Sequence, residues 1–418
     1  MDTFLTNDTK TIIMLCGVLG KDSSVKPLAQ KEYTRLVQWL MNEKMRPEDL
    51  LNFNDIDSVA TGSEIEADRL RALLNRGVQL GFAVEKWQQN GIWIISRSDN
   101  DYPKKLKKHL QDKAPPLLFG VGNRLLLKGG GLAMVGSRNV DTDGIKFTEK
   151  VAKLCAFNHM PVVSGGARGV DQIAMKSSFE AGGISVGILA DNLLKKSLER
   201  HSRNAITAGC LLLISPYHPN ARFTVGTAMG RNKLIYAMAD YGLVVSAEHN
   251  KGGTGTGAKE ELNRDNAITV FSRQGENVPS GNKELLELGA VEWPEKVKRE
   301  RFQQQLSDLA IDQRKQKQLN ISIYDYIDQQ PIAVQEQTDK YTPDKTKEND
   351  VHQNSSVDPI YEAALPIILD HIVTLVSPDE LSEQLNISKS QLNKWLKKAV
   401  EEGTIKKTSK PIRYQKIT

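Results

Sequence analysis

The chain has 418 residues, a length that corresponds to about three domains. Hydrophobic residues make up 39% and charged residues 26%, which is enough apolar material for real cores and excludes a wholly disordered chain. The formal charge of +5 is only mildly basic, and the three cysteines, Cys16, Cys155 and Cys210, are too few and too far apart for a disulfide framework or zinc-ligand spacing.

From the N-terminus to about residue 100 the pattern is helical. The apolar run Ile12–Gly20 is followed by Lys21-Asp22 and lacks a small-x-small cleavage pattern, so it reads as a buried helix. Tyr33–Met41 has apolar positions at helical spacing. Ile65–Phe82 repeats this, with Leu70, Leu73, Leu74 and Val78 expected on one buried face. A hinge follows, with a short strand, a Tyr-Pro turn, a basic helix and the extended step at Pro115-Pro116.

Residues 101–299 alternate short apolar runs with helix-length segments. The runs are Leu132–Val135, Val162–Ser164, Ile184–Leu189, Leu211–Ser215, Leu243–Ser246 and Ile268–Phe271. They are continuously apolar rather than alternating, as in a parallel sheet covered on both faces. The expected fold is therefore an α/β, doubly wound parallel sheet. Residues 300–358 are rich in Gln, Lys, Asp and Asn and read as a polar linker.

Residues 359–418 read as a compact winged-helix domain. Ser377-Pro378-Asp379-Glu380 supplies an N-cap, a proline and an acidic first turn. Ser388 caps the next helix, which buries Leu392, Leu396 and Val400, and Gly403 ends it before a two-stranded wing. Lys389, Lys394, Lys397 and Lys398 make the second helix basic, which suits contact with a DNA backbone. A solvated helix face, or a protein partner, is the alternative for this module.

Ligands of open α/β sheets bind beyond the carboxyl ends of the strands. Three junctions there carry glycines with hydroxyls or cations: Gly136-Ser137-Arg138, Ser164-Gly165-Gly166-Ala167-Arg168-Gly169, and Lys251-Gly252-Gly253-Thr254-Gly255-Thr256-Gly257. Glycines let backbone N–H groups approach an anion, and arginines add charge-assisted hydrogen bonds. Together they suggest a phosphate-binding rim. Arg231-Asn232-Lys233 is expected to open the helix over Leu234–Ala239, where two cations are better explained by a nearby phosphate than by a solvated helix start. No Walker A loop, dinucleotide fingerprint, nucleophile elbow or histidine metal spacing is present, so neither a catalytic set, a metal nor a cofactor is expected.

In order along the chain, GIWIISRSDNDYPKKL, AMVGSR, SGGARGVD, MGRNKLIYAMADYGLVVSA and KGGTGTGAKEEL resemble the DprA/Smf (DNA-processing protein A) family. The chain departs from the family's common form at Gly166, at Val170 and at Lys251-Gly252-Gly253-Thr254, which marks a divergent branch. The few, widely spaced cysteines fit a reducing cytoplasm. The resemblance implies an extended Rossmann-like domain that binds single-stranded DNA, self-associates as a dimer, and helps load the RecA recombinase. It implies phosphate contacts by Ser137 and Arg138, an adjoining pocket shaped by Gly165, Arg168 and Gly169, and a lining from Arg231-Asn232. It implies no catalysis. Two other readings remain: a nucleotide-binding enzyme of the LOG phosphoribohydrolase type, although Glu260 sits one position too late for that loop, and a nucleotide-sensing defence protein.

Overall fold

The computed structural model describes residues 5–20, 25–249, 252–328, 365–366, 368–372, 376–385, 389–408 and 413–416. They fall into two compact units, Met1–Pro331 and Ile332–Thr418. Among the described residues, no helix is long and apolar enough to cross a membrane.

The first unit begins with helices α1 (Asn7–Cys16), α2 (Gln30–Asn42), α3 (Ile56–Ser63), α4 (Ala67–Leu74) and α5 (Gly77–Gln89). The expected single helix over Ile65–Phe82 is broken between α4 and α5. Arg76, at the break, is buried and its guanidinium donates to the carbonyls of Met14 and Gly17. The break turns the second half off the expected face. Leu70 and Leu73 are buried, whereas Val78 is 71% exposed.

Nine strands follow: β1 (Trp93–Ser96), β2 (Leu117–Val121), β3 (Leu132–Gly136), β4 (Val162–Ser164), β5 (Ser185–Ile188), β6 (Leu211–Ser215), β7 (Tyr241–Ser246), β8 (Thr269–Ser272) and β9 (Val291–Glu292). Between and after them lie α6 (Lys104–Leu110), α7 (Thr142–Phe157), α8 (Val170–Glu180), α9 (Leu193–Leu198), α10 (Arg200–Thr207), α11 (Val225–Met238), α12 (Gly252–Leu262), α13 (Ser280–Glu287) and α14 (Phe302–Asp328). The strands form one sheet in the order β1-β2-β6-β5-β4-β3-β7-β8-β9. From β6 to β9 neighbours are parallel, and β1 and β2 extend the sheet antiparallel. The six expected apolar runs are the strands β3 to β8. The order reverses between β3 and β7, a topological switch point of the Rossmann kind.

Alternation along each strand sends side chains to two covered faces. Leu132 and Met134 of β3 pack with α7, α8 and the start of α14, while Ala133 and Val135 pack with α6, α11 and α12. Helices α1–α5 cover the β6-β2-β1 end through Ile94, Leu117, Phe119, Leu211 and Leu213. Strand β1 therefore belongs to the sheet, although its residues lie before the expected boundary at residue 100. The polar stretch expected to be a linker from residue 300 begins as part of this unit instead. Phe302, Leu306 and Ala310 of α14 are buried, with Phe302 against Trp293, so spaced apolar residues dock a helix that average composition conceals.

In the second unit, Ser377 and Glu380 form a reciprocal capping box on the helix Pro378–Leu385. A second helix, Lys389–Glu401, is followed by a hairpin of Ile405–Lys407 with Tyr414–Lys416. Ile368, Ile372, Leu381, Leu392, Trp395, Leu396, Ile405 and Tyr414 make its core. The remaining residues of the expected linker, 329–358, lie outside the described residues.

Asn282 on α13 fixes the end of β7, where the switch-point loop begins. Its buried amide accepts from Ala247 N at 2.8 Å and donates to Val244 O at 3.2 Å and Arg273 O at 3.2 Å. Replacing Asn282 with Ala takes the side-chain partner from Ala247 N and Arg273 O in the core, while Val244 O keeps its bond from Arg273 N at 3.0 Å. The expected loss, read from urea unfolding, is about 2–3 kcal/mol; an unchanged midpoint contradicts the assignment.

Candidate nucleic-acid interface

The ends of β3, β4 and β7 and the helix α11 enclose a cleft of about 570 Å3 at the switch point. Gly136, Ser137 and Arg138 come from the end of β3, Ala167 and Asp171 from the β4–α8 junction, and Ala247, Glu248 and Thr254 from the β7–α12 junction. A second cleft of about 490 Å3, lined by Gly165, Arg168, Asp191 and Lys196, shares Arg138, Phe223 and Arg231 with the first. The volumes are within the usual range for ligand sites.

Arg231 lies beneath both clefts. It is mid-helix rather than at a helix start, because α11 begins nearly two turns earlier, at a Thr224 cap whose hydroxyl accepts from Thr227 N at 3.0 Å. Arg231 is 5% exposed, and its guanidinium approaches the equally buried Asp171, with Nη1 3.5 Å from Oδ2. Arg231 Nε and Nη1 make no hydrogen bond among the described residues. Burial pushes the Asp171 carboxyl upward, and Arg231 draws it back only in part. The carboxylate also accepts from Ala167 N at 3.4 Å, so it braces the β4–α8 turn. Arg231 nevertheless lines both clefts, with Nε and Nη1 buried in protein.

The glycines of this turn make room for protein rather than for ligand. A Cβ on Gly165 would land on Arg231 Nη1 and lie 2.6 Å from Asp171 Oδ2. Gly169 has φ +89°, and a Cβ there would meet Ser137 O and Arg138 Cα, because the β3 and β4 loops run against each other.

Arg138 and Arg168 are the exposed cations of the rim. The Arg138 guanidinium sits 5.1 Å from the centre of the Phe223 ring, which is itself 46% exposed. Arg168 Nη2 donates to Asn139 Oδ1 at 2.5 Å, and Asn139 N donates to Ser137 Oγ at 3.1 Å, so one chain of hydrogen bonds joins the two loops. Asn232 lines the first cleft and donates to Gly253 O at 3.1 Å. The glycine segment after β7 is helix rather than loop from Gly252 onward, and Thr254 Oγ1 ties its first turn to Gly136 O at 3.1 Å.

Two expected rim residues are elsewhere. Ser164 is fully buried and its hydroxyl donates to Met134 O at 2.6 Å, a strand-to-strand tie that leaves nothing for a ligand. Lys233 points to α12, where its Nζ is 2.8 Å from Glu260 Oε1. Lys251 lies outside the described residues. In the second unit, Lys389 opens the basic helix, Lys394 and Lys397 are exposed on it, and Lys397 and Lys398 face Glu401 and Glu402 at 3.8 and 3.9 Å. Sequence reasoning missed the apolar side of the mouth, formed by Phe223, Val225 and Met229, all substantially exposed. Its only signal was the spacing of Val225 and Met229, four residues apart, in a segment whose helix was not expected.

Residues 93–300 match the family model described as DNA recombination-mediator protein A. The chain belongs to the DprA/Smf family. It is 31% identical over 160 residues to the DNA processing protein DprA of Streptococcus pneumoniae, covering 37% of this chain and 54% of that one. Protein Smf of Escherichia coli is 29% identical over 239 residues, covering 55% and 59%. The chain thus spans a little over half the length of the curated relatives it matches. The X-ray structure of DNA processing protein A from S. pneumoniae superposes with a TM-score of 0.55 at 21% identity, covering 69% of this chain and 95% of that one, which shows a shared fold. The matched family segment takes in β1 and β2, so the antiparallel extension lies within the DprA/Smf region as well.

The Gly165 contact yields a discriminating test. Gly165→Ala should destabilise by about 1–3 kcal/mol through overpacking against Arg231. Gly81→Ala, mid-helix with open space around it, should instead stabilise by about 0.5–1 kcal/mol. Equal midpoints for the two in thermal or urea unfolding contradict the packing described here.

Proposed function

We propose that this DprA/Smf protein binds single-stranded DNA along the switch-point clefts, without sequence preference and without altering the strand. The observation that carries this reading is the pairing of two unlike walls at one mouth. Arg138 and Arg168 stand on the strand-end side, over the buried charge of Arg231, and Phe223, Val225 and Met229 stand on the helix side. Cations suit phosphates, and an exposed ring with aliphatic neighbours suits unpaired bases, which stack without regard to sequence. The lip also carries Glu248, so attraction is concentrated on the Arg138 side.

The family's description as a recombination mediator supports the role of a carrier that passes the strand to a RecA-type recombinase. We propose that it acts as a homodimer in the cytoplasm. The second unit is proposed as a winged helix: helix, helix and hairpin follow in that order, and the second helix displays lysines for DNA or a protein partner. A phosphoribohydrolase reading is less supported. Glu260, the carboxylate it would need, is held by Lys233 and by Arg264 at 3.8 Å and does not line the cleft.

Arg138→Ala removes an exposed cation and leaves the fold intact. Affinity for a labelled oligothymidylate should fall severalfold at low salt, and the slope of log affinity against log salt should become shallower by about 0.7. Unchanged affinity and slope, or release of free base from nucleoside monophosphates by the wild-type protein, count against the proposal.

A further inference from the structure

Beyond the second cleft the chain continues into α9 and α10, a segment the reading above leaves unused. Over Leu193–Thr207 the charged side chains are Lys195, Lys196, Arg200 and Arg203 against a single acid, Glu199. Lys196 lines the second cleft with Arg138 and Arg168, and its Nζ is 3.0 Å from Glu199 Oε1. Lys195, Arg200 and Arg203 are exposed and form no ion pair among the described residues. Arg200 and Arg203 are three apart and share a helix face.

Local stability does not account for this placement. Arg200, His201 and Arg203 occupy the first turn of α10, the end of a helix where the macrodipole disfavours cations, and no side chain caps that end. Between the two pairs of cations, Leu198 is 53% exposed. The segment is held beside the cleft mouth by backbone bonds: Asn192 N donates to Ala221 O at 2.9 Å and Leu194 N to Pro219 O at 3.1 Å, on the loop that leads to Phe223.

We propose that α9 and the first turn of α10 form a cationic track that continues the clefts and takes the phosphates of the same single strand beyond those held near Arg138. The inference rests on the single-strand reading and adds the strand's direction of exit, towards α10 along the β5–β6 side of the sheet. Lys196 is the bridging residue, Lys195, Arg200 and Arg203 are the phosphate contacts, and Leu198 is an apolar resting place for one base.

The test combines Lys195→Ala, Arg200→Ala and Arg203→Ala in the full chain and measures binding of oligothymidylates of about 6 and about 20 nucleotides, lengths that bracket the usual single-strand site sizes. Exposed, unpaired side chains are removed, two of them from a helix end that disfavours cations, so the thermal midpoint should not fall. The short oligomer should bind the variant as it binds the wild type. The long one should bind roughly tenfold more weakly at low salt, with a salt slope shallower by about 2, near 0.7 for each lost phosphate contact. Wild-type affinity and slope on the long oligomer overturn the track. Equal losses on both lengths overturn it too, since the residues then serve the cleft itself, and so does a loss confined to duplex DNA. A wild-type protein that binds neither length overturns the single-strand reading and the track with it, whereas loss from Arg138→Ala without loss from the triple variant overturns the track alone.

Discussion

The buried pair of Arg231 and Asp171 is the constraint around which the site is arranged. One charge comes from the middle of α11 and the other from the first turn of α8, so their approach holds a helix of one sheet face against the loops at the strand ends. Neither could be buried alone without a cost of several kcal/mol. The residues around the pair follow from it. Gly165 is a glycine because the guanidinium occupies the place of a Cβ, and Gly169 is one because the turn it belongs to presses on Ser137 and Arg138.

The sheet was legible and its surroundings were less so. Strands β3 to β8 announce themselves as apolar runs because both faces of a parallel sheet are covered. Strand β2, Leu117–Val121, is equally apolar, but it follows two prolines and contains Gly120, and the antiparallel pairing that makes it part of the sheet is a long-range property. The start of α11 was hidden by Gly226 and Gly230, which suggest loop, so Arg231 was placed at a helix end when it lies mid-helix. The glycines after β7 misled in the same way.

At the site, the sequence identified which segments converge but not which atoms are free. Ser164 and Lys233 have the right chemistry for phosphate and lie beside residues that line the clefts. Each is committed elsewhere, Ser164 to Met134 O and Lys233 to Glu260. Such commitments depend on side-chain direction across elements distant in the chain, which residue type and spacing do not encode. The apolar wall of Phe223, Val225 and Met229 was missed for the complementary reason, since exposed apolar residues leave no mark in a composition that fits a core equally well.

The proposed function requires an unpaired strand in the switch-point clefts, with its bases towards Phe223. Ultraviolet crosslinking of the intact protein to an oligothymidylate, followed by identification of the crosslinked peptides, tests it most directly. Crosslinks at Phe223 and in the Ser137–Asn139 loop are the predicted result. Crosslinks confined to the second unit, at Trp395 or Tyr414, with none at the clefts, would contradict it.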